Sequence, residues 1–206
     1  MLFKSREEAG RLLAEDLKKY GKSCLVLAIP RGGVVVGAEI SKTFLCPLEP
    51  IITRKLGAPG NPELAIGATT SKGGLVLDQE LIESLGVSKG YIRSELSCQR
   101  KEARRREKVY LKEEPINVTG KTVILVDDGI ATGATVEAAI EAVRERKPAK
   151  IVLAVPVAPA TAADRLKKRV DEFVCLATPT HFFAIGEFYS SFPQISDEEV
   201  IQILQK

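Results

Sequence analysis

Short apolar runs alternate with stretches of amphipathic, helical spacing along most of the chain. The apolar runs are rich in β-branched residues and have the length of buried strands in a parallel sheet. Strands are predicted at residues 24–29, 49–53, 122–126, 150–156 and 172–177, with helices at 34–44, 136–143 and 160–170. Strands and helices that alternate in this way predict an α/β fold, with a mostly parallel, Rossmann-like sheet flanked by helices.

The other segments add helices at both ends and an insertion in the middle. Ser5 with Glu8 and Ser196 with Glu199 have capping-box spacing, which predicts helices that begin just after the two serines and run to about residues 20 and 204. The insertion is predicted to contain a hairpin of strands 66–70 and 74–77, a short helix at 78–85 and a long helix at 88–110. Composition changes after residue 177, because five of the eleven aromatic residues lie within residues 178–193.

The segment 123–135 carries the clearest candidate chemistry. Asp127 and Asp128 follow an apolar strand directly, and only small residues lie between Ala131 and Thr135 before the next helix. The free N–H groups and the dipole at the start of a helix suit a phosphate. Carboxylates do not bind phosphate, so the two acids are expected to face sugar hydroxyls or a hydrated cation. The segment therefore predicts a site for a sugar phosphate.

A second strand, 24–29, also ends in a glycine loop that is followed by a helix. The loop reads Pro30-Arg31-Gly32-Gly33; its glycines allow backbone amides to approach an anion, and Arg31 offers a forked, charged contact. In an open parallel sheet, ligands bind beyond the carboxyl ends of the strands. Two such loops on neighbouring strands would therefore hold the two ends of one polyanion. A basic pair, Arg54 and Lys55, follows the strand at 49–53.

Residues 123–135 resemble the 5-phosphoribosyl-1-pyrophosphate (PRPP) binding motif of the type I phosphoribosyltransferases, and Arg31-Gly32-Gly33 resembles the triplet of the purine-type members, notably the xanthine transferases. One departure is Gly129, where the family usually has a larger apolar residue. The resemblance implies that Asp127 and Asp128 hold the ribose hydroxyls. It assigns the 5′-phosphate to Ala131, Thr132, Gly133, Ala134 and Thr135, and the pyrophosphate to Arg31, Gly32 and Gly33. Arg54 and Lys55 would neutralise the departing pyrophosphate, which makes Asp127, Asp128, Lys55 and Arg54 the catalytic candidates.

The resemblance also implies a domain plan. Residues 1–206 would form a single phosphoribosyltransferase domain of the type I fold, with a lid and helical insert at 57–115 and a hood at 178–206. The mobile lid is expected at the hairpin around Ser71-Lys72-Gly73. In the hood, an aromatic side chain would stack on the acceptor base, and the candidates are Phe183, Phe188 and Tyr189. The single histidine, His181, has no partner at catalytic spacing and is expected to be structural.

The implied reaction is displacement of pyrophosphate from PRPP by a ring nitrogen, with Mg²⁺ as the cofactor. No all-protein metal site is expected: substrate oxygens and water would supply most ligands, with Asp127 and Asp128 as the candidate protein ligands. Hypoxanthine–guanine members carry an aspartate where this chain has Ala131. That type is therefore disfavoured, and the expected acceptor is a nucleobase-like, purine-like base.

The overall composition of the chain limits which classes of binding partner are expected. Thirty basic and 27 acidic residues give a net charge of +3, which is too balanced to indicate nucleic-acid binding. The basic residues of the helix at 88–110 are interleaved with glutamates, so a solvated arm or a dimer contact is favoured over an RNA-binding face, and a homodimer is expected. Four scattered cysteines indicate neither a disulfide framework nor a zinc site. Without a signal-peptide core or a membrane-spanning stretch, a cytoplasmic protein with no membrane partner is expected.

Two other functions stay open. A regulatory protein that senses PRPP without catalysis would keep Asp127, Asp128 and the phosphate loop, but it would not need Lys55 or a lid. An unrelated α/β nucleotide-binding protein would prefer ATP or a dinucleotide. Neither the Gly-x-x-x-x-Gly-Lys-Ser/Thr motif nor the Gly-x-Gly-x-x-Gly motif is present to support it.

Overall fold

The computed structural model describes residues 2–111 and 115–205. Within these ranges the strands are β1 (Cys24–Ala28), β2 (Leu48–Pro50), β3 (Thr53–Ala58), β4 (Asn61–Thr70), β5 (Leu75–Leu77), β6 (Thr122–Val126), β7 (Lys150–Val157) and β8 (Glu172–Ala177). The α-helices are α1 (Arg6–Asp16), α2 (Gly32–Phe44), α3 (Gln79–Ser84), α4 (Lys89–Tyr110), α5 (Ala134–Glu145), α6 (Ala160–Lys167) and α7 (Asp197–Leu204). The ends of the predicted domain, residues 1 and 206, and residues 112–114 of the predicted insert lie outside the described residues.

The main sheet has five parallel strands in the order β2-β1-β6-β7-β8. The winding direction reverses between β1 and β6, where Ala28 pairs with Val126. Side chains alternate between the two faces: Leu25 and Leu27 pack with α5 and α6, whereas Val26 packs with α1 and α2. This confirms the predicted α/β fold with a parallel sheet flanked by helices. It also places the crevice expected for a ligand at the carboxyl ends of β1 and β6.

A second, antiparallel sheet has the order β3-β4-β5. The predicted β4–β5 hairpin is confirmed, but the single predicted strand 49–53 is wrong. Only residues 49 and 50 of it belong to the main sheet, in β2 (Leu48–Pro50), and Thr53 begins β3 in the smaller sheet. Strands β3 and β4 are joined by a tight turn at Pro59-Gly60, where Gly60 has a φ of +72°.

Helix α4 packs on the smaller sheet. Its apolar side chains, among them Ile92 and Leu96, contact Leu56 and Ile66. Two of its basic residues also bind β4 and the turn after it: Arg100 Nε donates to Thr69 Oγ1 at 3.2 Å and Arg104 Nε donates to the Ser71 carbonyl at 3.1 Å. Part of the basic surface expected to be a solvated arm is therefore a structural contact that joins α4 to the hairpin.

Helix α1 is shorter than predicted. It begins after Ser5, whose Oγ accepts from the Glu8 N–H, but it ends at Asp16 and is followed by a 3₁₀ segment, Lys18–Ser23. Gly21 has a φ of +51°, which an α-helix cannot contain, and this explains the early end. No helix among residues 2–111 and 115–205 combines the length and apolar character needed to cross a membrane.

The register of β1 and β2 brings together two cysteines that are far apart in sequence. Val26 pairs with Leu48, so Cys24 and Cys46 lie side by side at the start of the two strands, with their Sγ atoms 3.3 Å apart. Both are free, buried thiols. The two thiols are neighbours in space although they are 22 residues apart in sequence, because linear spacing does not reveal neighbours on parallel strands.

Candidate functional site

The crevice at the switch point is a cavity of about 800 Å³. Its walls come from the start of α1, the loops after β1 and β6, the β3–β4 hairpin, α4 and the C-terminal segment. Seven residues predicted for the site line it: Arg31, Gly32, Arg54, Lys55, Asp127, Asp128 and Thr135. The structure thus brings together acids, arginines and a helix N-terminus from parts of the chain that are up to about a hundred residues apart.

The two acids are arranged unequally. Asp127 Oδ1 accepts the backbone N–H of Asp128 at 2.8 Å, whereas Asp128 Oδ2 accepts from Arg6 Nε at 2.7 Å. The Tyr189 hydroxyl donates to the Asp128 carbonyl at 2.6 Å. Burial, followed by the nearby charge of Asp128, raises the pKa of Asp127 well above its usual range, and the Arg6 charge opposes this shift. The surroundings of Asp127 therefore favour the neutral form of this carboxyl group.

The Arg-Gly-Gly loop lies directly against these acids. A Cβ at Gly32 would be 1.8 Å from Asp128 Oδ2, and a Cβ at Gly33 would be 2.9 Å from the Asp127 Cα. Both positions therefore require glycine. Helix α2 begins at Gly32 and has no side-chain cap; the Val34 N–H donates to the Arg31 carbonyl, and the N–H groups of Gly32 and Gly33 are the ones offered to a ligand. Arg31 Nη1 lies 3.9 Å from Asp197 Oδ1, so α7 holds this side chain at the cavity wall.

The loop after β6 ends in a helix N-terminus without a side-chain cap. Gly133 has a φ of +87° and is followed by α5, whose first turn contributes Thr135 to the cavity. Ala131 and Thr132 are exposed. Sequence reasoning missed Arg165: its Nε lies 2.5 Å from Glu137 Oε1, and its guanidinium also donates to the Thr132 carbonyl. These contacts fix the loop from α6, and no motif at Arg165 indicates them.

Helix α4, which was expected to be a solvated arm or a dimer contact, also supports the basic residues at the wall of the cavity. Arg54 Nε donates to Gln99 Oε1 at 2.9 Å, and Gln99 Nε2 donates to Glu95 Oε1 at 2.9 Å. Arg106 of the same helix also lines the cavity, and Lys55 is exposed at its edge. The spacing of Glu95 and Gln99, four residues apart on one helix face, is the signal that was available in the sequence.

The three aromatic candidates for the acceptor base lie elsewhere in the hood. Phe183 is 87% exposed, whereas Phe188 and Tyr189 are buried at 9% and 5%. Phe188 stacks on Phe182 with ring centroids 5.2 Å apart, and Tyr189 packs against Phe3 at 5.3 Å. None of the three is among the described residues that line the cavity, so their positions do not place a ring against an acceptor.

Other hood residues do reach the cavity. Ile185 and the segment Phe192–Ile195 form this part of its wall. A Cβ at Gly129 would lie 2.5 Å from Ile185 Cγ2, so the hood occupies the space that a larger residue at position 129 would need. The departure from the family motif at Gly129 therefore has a steric reason in this chain.

The hairpin turn predicted as the lid is docked on α5. The Gly74 N–H donates to Glu145 Oε1 at 3.4 Å, and a Cβ at Gly74 would lie 2.2 Å from the Ala138 carbonyl oxygen. Ser71 is buried. The part of the smaller sheet that lines the cavity is β3, including Arg54 and Lys55, together with the start of β4 at Pro62 and Glu63. The structure thus places the β3–β4 hairpin at the site, whereas the turn around Ser71-Lys72-Gly73 is not part of the lining.

Comparison with known proteins identifies the family. The family model described as "Phosphoribosyl transferase domain" matches residues 3–191. The chain belongs to this family. Its fold and the two-loop cavity agree with that assignment, and the resemblance inferred from residues 123–135 is confirmed.

Individual relatives of this phosphoribosyl transferase domain agree with the family. A Mycobacterium tuberculosis protein named "Putative phosphoribosyl transferase" is 41% identical over 207 residues, which cover 100% of this chain and 47% of that protein. The crystal structure of TT1426 from Thermus thermophilus is 42% identical, with a TM-score of 0.83 over 99% of this chain and 98% of that chain. "Bifunctional protein PyrR" of Chloroflexus aurantiacus is 57% identical over 42 residues, 20% of this chain and 23% of that protein. The chain spans about half the length of the mycobacterial relative.

Proposed function

We propose that the protein transfers the 5-phosphoribosyl group of PRPP to a nitrogenous base, which is purine-like, and releases pyrophosphate. One observation carries the proposal: two uncapped helix N-termini open into the same cavity, with the acidic pair Asp127 and Asp128 between them. Such a cavity suits a ligand with a phosphate at one end, a polyphosphate at the other and hydroxyl groups in the middle. PRPP has this arrangement of groups.

Each group of the substrate then has a partner in the chain. The ribose hydroxyls donate to the carboxylates of Asp127 and Asp128, and the 5′-phosphate accepts from the N–H groups and hydroxyls of residues 131–135. Arg31 and the N–H groups of the Gly32–Gly33 turn bind the pyrophosphate. Arg54 and Lys55 contribute further positive charge on this side of the cavity.

The chemistry is a substitution at the ribose C1 atom. A ring nitrogen of the base donates its electron pair to C1 and forms the new bond, while the bond from C1 to the pyrophosphate oxygen breaks and pyrophosphate leaves with the electron pair of the broken bond. The proton of the attacking N–H group passes to water. Positive charge develops on the ribose ring and negative charge on the leaving group. The acidic pair lies beside the first and the arginines beside the second, so both charges meet an opposite, pre-positioned charge. Exclusion of water protects the ribose from hydrolysis.

The residues present also fit Mg²⁺. The cation prefers oxygen ligands and retains water, and Asp127 and Asp128 offer carboxyl oxygens at the wall of the cavity. When bound, magnesium supplies positive charge to the pyrophosphate oxygens. Among residues 2–111 and 115–205, no cluster of three His, Cys, Asp or Glu residues is close enough to hold a metal. The proposed ligands are therefore substrate oxygens, water and the acidic pair.

The test is a turnover assay. The pure protein is incubated with PRPP, Mg²⁺ and a panel of nucleobases, and pyrophosphate release is followed. The matched control is the double variant Asp127→Asn and Asp128→Asn. Release with at least one base, abolished in the control, supports the transferase. If no base gives release above the control, the transferase proposal is rejected.

Calorimetric titration with PRPP then tests the regulatory alternative. Tight binding without turnover, unchanged by Lys55→Ala, would favour a protein that senses PRPP. Loss of turnover in Lys55→Ala with binding retained would support the transferase, because the lysine is proposed to act on the departing pyrophosphate.

A further inference from the structure

Arg6 is the residue of the cavity that no motif indicates. It lies in the first turn of α1 and is buried, with 8% of its side chain exposed. Its Nε donates to Asp128 Oδ2 at 2.7 Å, and its Nη1 donates to the Pro193 carbonyl at 2.8 Å. Its guanidinium carbon lies 3.6 Å from the centroid of the Phe192 ring. A buried arginine with three fixed contacts at the edge of a cavity is a preorganised group.

The charge balance gives Arg6 its first role. Asp127 and Asp128 are adjacent acidic residues in a half-buried place, where their like charges repel each other. Among the ion pairs formed by the described residues, Arg6 is the cation that contacts this pair, with its Nε 2.7 Å from Asp128 Oδ2. Its guanidinium offsets part of the repulsion and leaves the other Asp128 oxygen to accept hydroxyl groups.

The geometry gives Arg6 its second role. It binds Asp128 through Oδ2, the same atom that lies against the Gly32 backbone. Through Pro193 and Phe192 it also binds the hood. One side chain therefore joins the acidic pair, the Arg-Gly-Gly loop and the hood, and it restricts the Asp128 carboxylate to one orientation.

We propose that Arg6 is a positioning residue that holds Asp128 for the ribose hydroxyls, so that it sets the affinity for the sugar phosphate and not for pyrophosphate. The inference rests on the proposed function. Its guanidinium fork is needed because the two N–H donors serve Asp128 and Pro193 at the same time, which the point charge of a lysine cannot reproduce.

The experiment compares two probes, ribose 5-phosphate and inorganic pyrophosphate, each titrated with Mg²⁺ into the whole chain by calorimetry. Arg6→Gln is expected to weaken ribose 5-phosphate binding about 30-fold, since truncating one partner of a buried charge pair leaves the other uncompensated. Arg6→Lys is expected to weaken it about 5-fold, because the charge is kept and the second contact is lost. Pyrophosphate binding should change by less than about threefold in both variants.

Arg11→Gln is the matched control. Arg11 lies on the same helix and forms an ion pair with Glu39 at 3.1 Å, but 57% of its side chain is exposed and it does not line the cavity. It should leave the affinity for both probes unchanged. If Arg6→Gln does not fold, Arg6→Lys decides the question alone, because a residue with a purely structural role would weaken both probes equally.

The outcomes are separable. Unchanged or tighter ribose 5-phosphate binding in a folded Arg6 variant overturns the inference; tighter binding would mean that Arg6 competes with the sugar for Asp128. Equal weakening of both probes also overturns it. If the unmodified protein binds neither ribose 5-phosphate nor PRPP, the proposed function itself fails. Weaker binding of ribose 5-phosphate with unchanged binding of pyrophosphate supports both the role of Arg6 and the proposed function.

Discussion

The units β1–loop–α2 and β6–loop–α5 share one architecture but present a ligand with different chemistry. After β1, the loop offers backbone N–H groups and is shaped by steric exclusion, because no Cβ fits at Gly32 or Gly33. After β6, the loop offers carboxylates; Arg6 binds the Asp128 carboxylate and Tyr189 binds the Asp128 backbone carbonyl, both from distant parts of the chain. A backbone site can be specified by its own few residues. A site made of charged side chains depends on partners that its motif does not contain.

Replacing Gly32 tests whether steric exclusion shapes the loop after β1. We expect it to have the largest effect on ligand affinity. In Gly32→Ala, the new Cβ would lie 1.8 Å from Asp128 Oδ2 and 2.7 Å from Arg6 Nε, so the loop or the acidic pair must move. We expect the affinity for PRPP to fall about 100-fold, since a shift of about 1 Å has this effect at a preorganised site. Calorimetry with PRPP and Mg²⁺ measures it.

Gly90→Ala is the control for this substitution. Gly90 lies in the first turn of α4, where a Cβ would meet nothing closer than 3.8 Å. It should leave PRPP affinity unchanged and stabilise the fold by about 0.5–1 kcal/mol, the usual gain for alanine over glycine in a helix. Equal PRPP affinity in the Gly32 and Gly90 variants would show that the two loops are not in contact as described.

Neutralising Asp127 tests the contribution of the carboxylates in the loop after β6. Because its pKa is raised in the folded protein, the folded state binds more protons than the unfolded state between the two pKa values. The stability of the unmodified protein therefore falls as pH rises through that window. Asp127→Asn removes this loss of stability, and at pH 7.5 we expect it to raise the free energy of unfolding by about 1 kcal/mol. The same substitution should weaken the binding of ribose 5-phosphate about 30-fold, because the carboxylate proposed to accept the ribose hydroxyls is lost.

Urea denaturation at several pH values, combined with calorimetry, measures both effects of Asp127→Asn. Asp164→Asn is the control, since Asp164 is an exposed residue of α6 outside the cavity. Its unfolding curves and affinities should match those of the unmodified protein. If the Asp127→Asn variant is less stable than the unmodified protein at pH 7.5, the prediction that burial of the Asp127 carboxylate costs stability is contradicted.

Replacing Gly129 tests whether the hood and the loop after β6 compete for the same space. The Cβ of Gly129→Ala would lie 2.5 Å from Ile185 Cγ2, and we expect a loss of about 1–2 kcal/mol in stability, as is usual for overpacking. Adding Ile185→Ala should recover most of that loss. A double-mutant cycle from urea unfolding measures the coupling, and purely additive effects would exclude the competition.

The sequence predicted what depends on local order. The parallel strands, the capped helices, the adjacent acids and the glycine loop all leave a signal within a dozen residues of the sequence. Contacts between distant segments leave no such signal. The order of the strands, which places β1 beside β6 at a switch point, comes from the structure. Arg6 is 122 positions from Asp128, and no local pattern connects them. The lid around Ser71-Lys72-Gly73 stays a prediction.

The hood illustrates the same limit and gives the smallest expected effect. The family resemblance implies that an aromatic side chain of the hood contacts the acceptor, yet the aromatic density at 178–193 cannot distinguish the exposed Phe183 from Phe192, whose ring supports the Arg6 guanidinium. Phe192→Leu should weaken ribose 5-phosphate about threefold, because one cation–π contact of about 0.5–1 kcal/mol is lost. Phe183→Leu, the matched control, should leave the affinity for ribose 5-phosphate unchanged. Calorimetry with ribose 5-phosphate measures both affinities. A larger loss of affinity in Phe183→Leu than in Phe192→Leu would mean that the hood contacts the ligand through Phe183 and not through the ring that packs on Arg6.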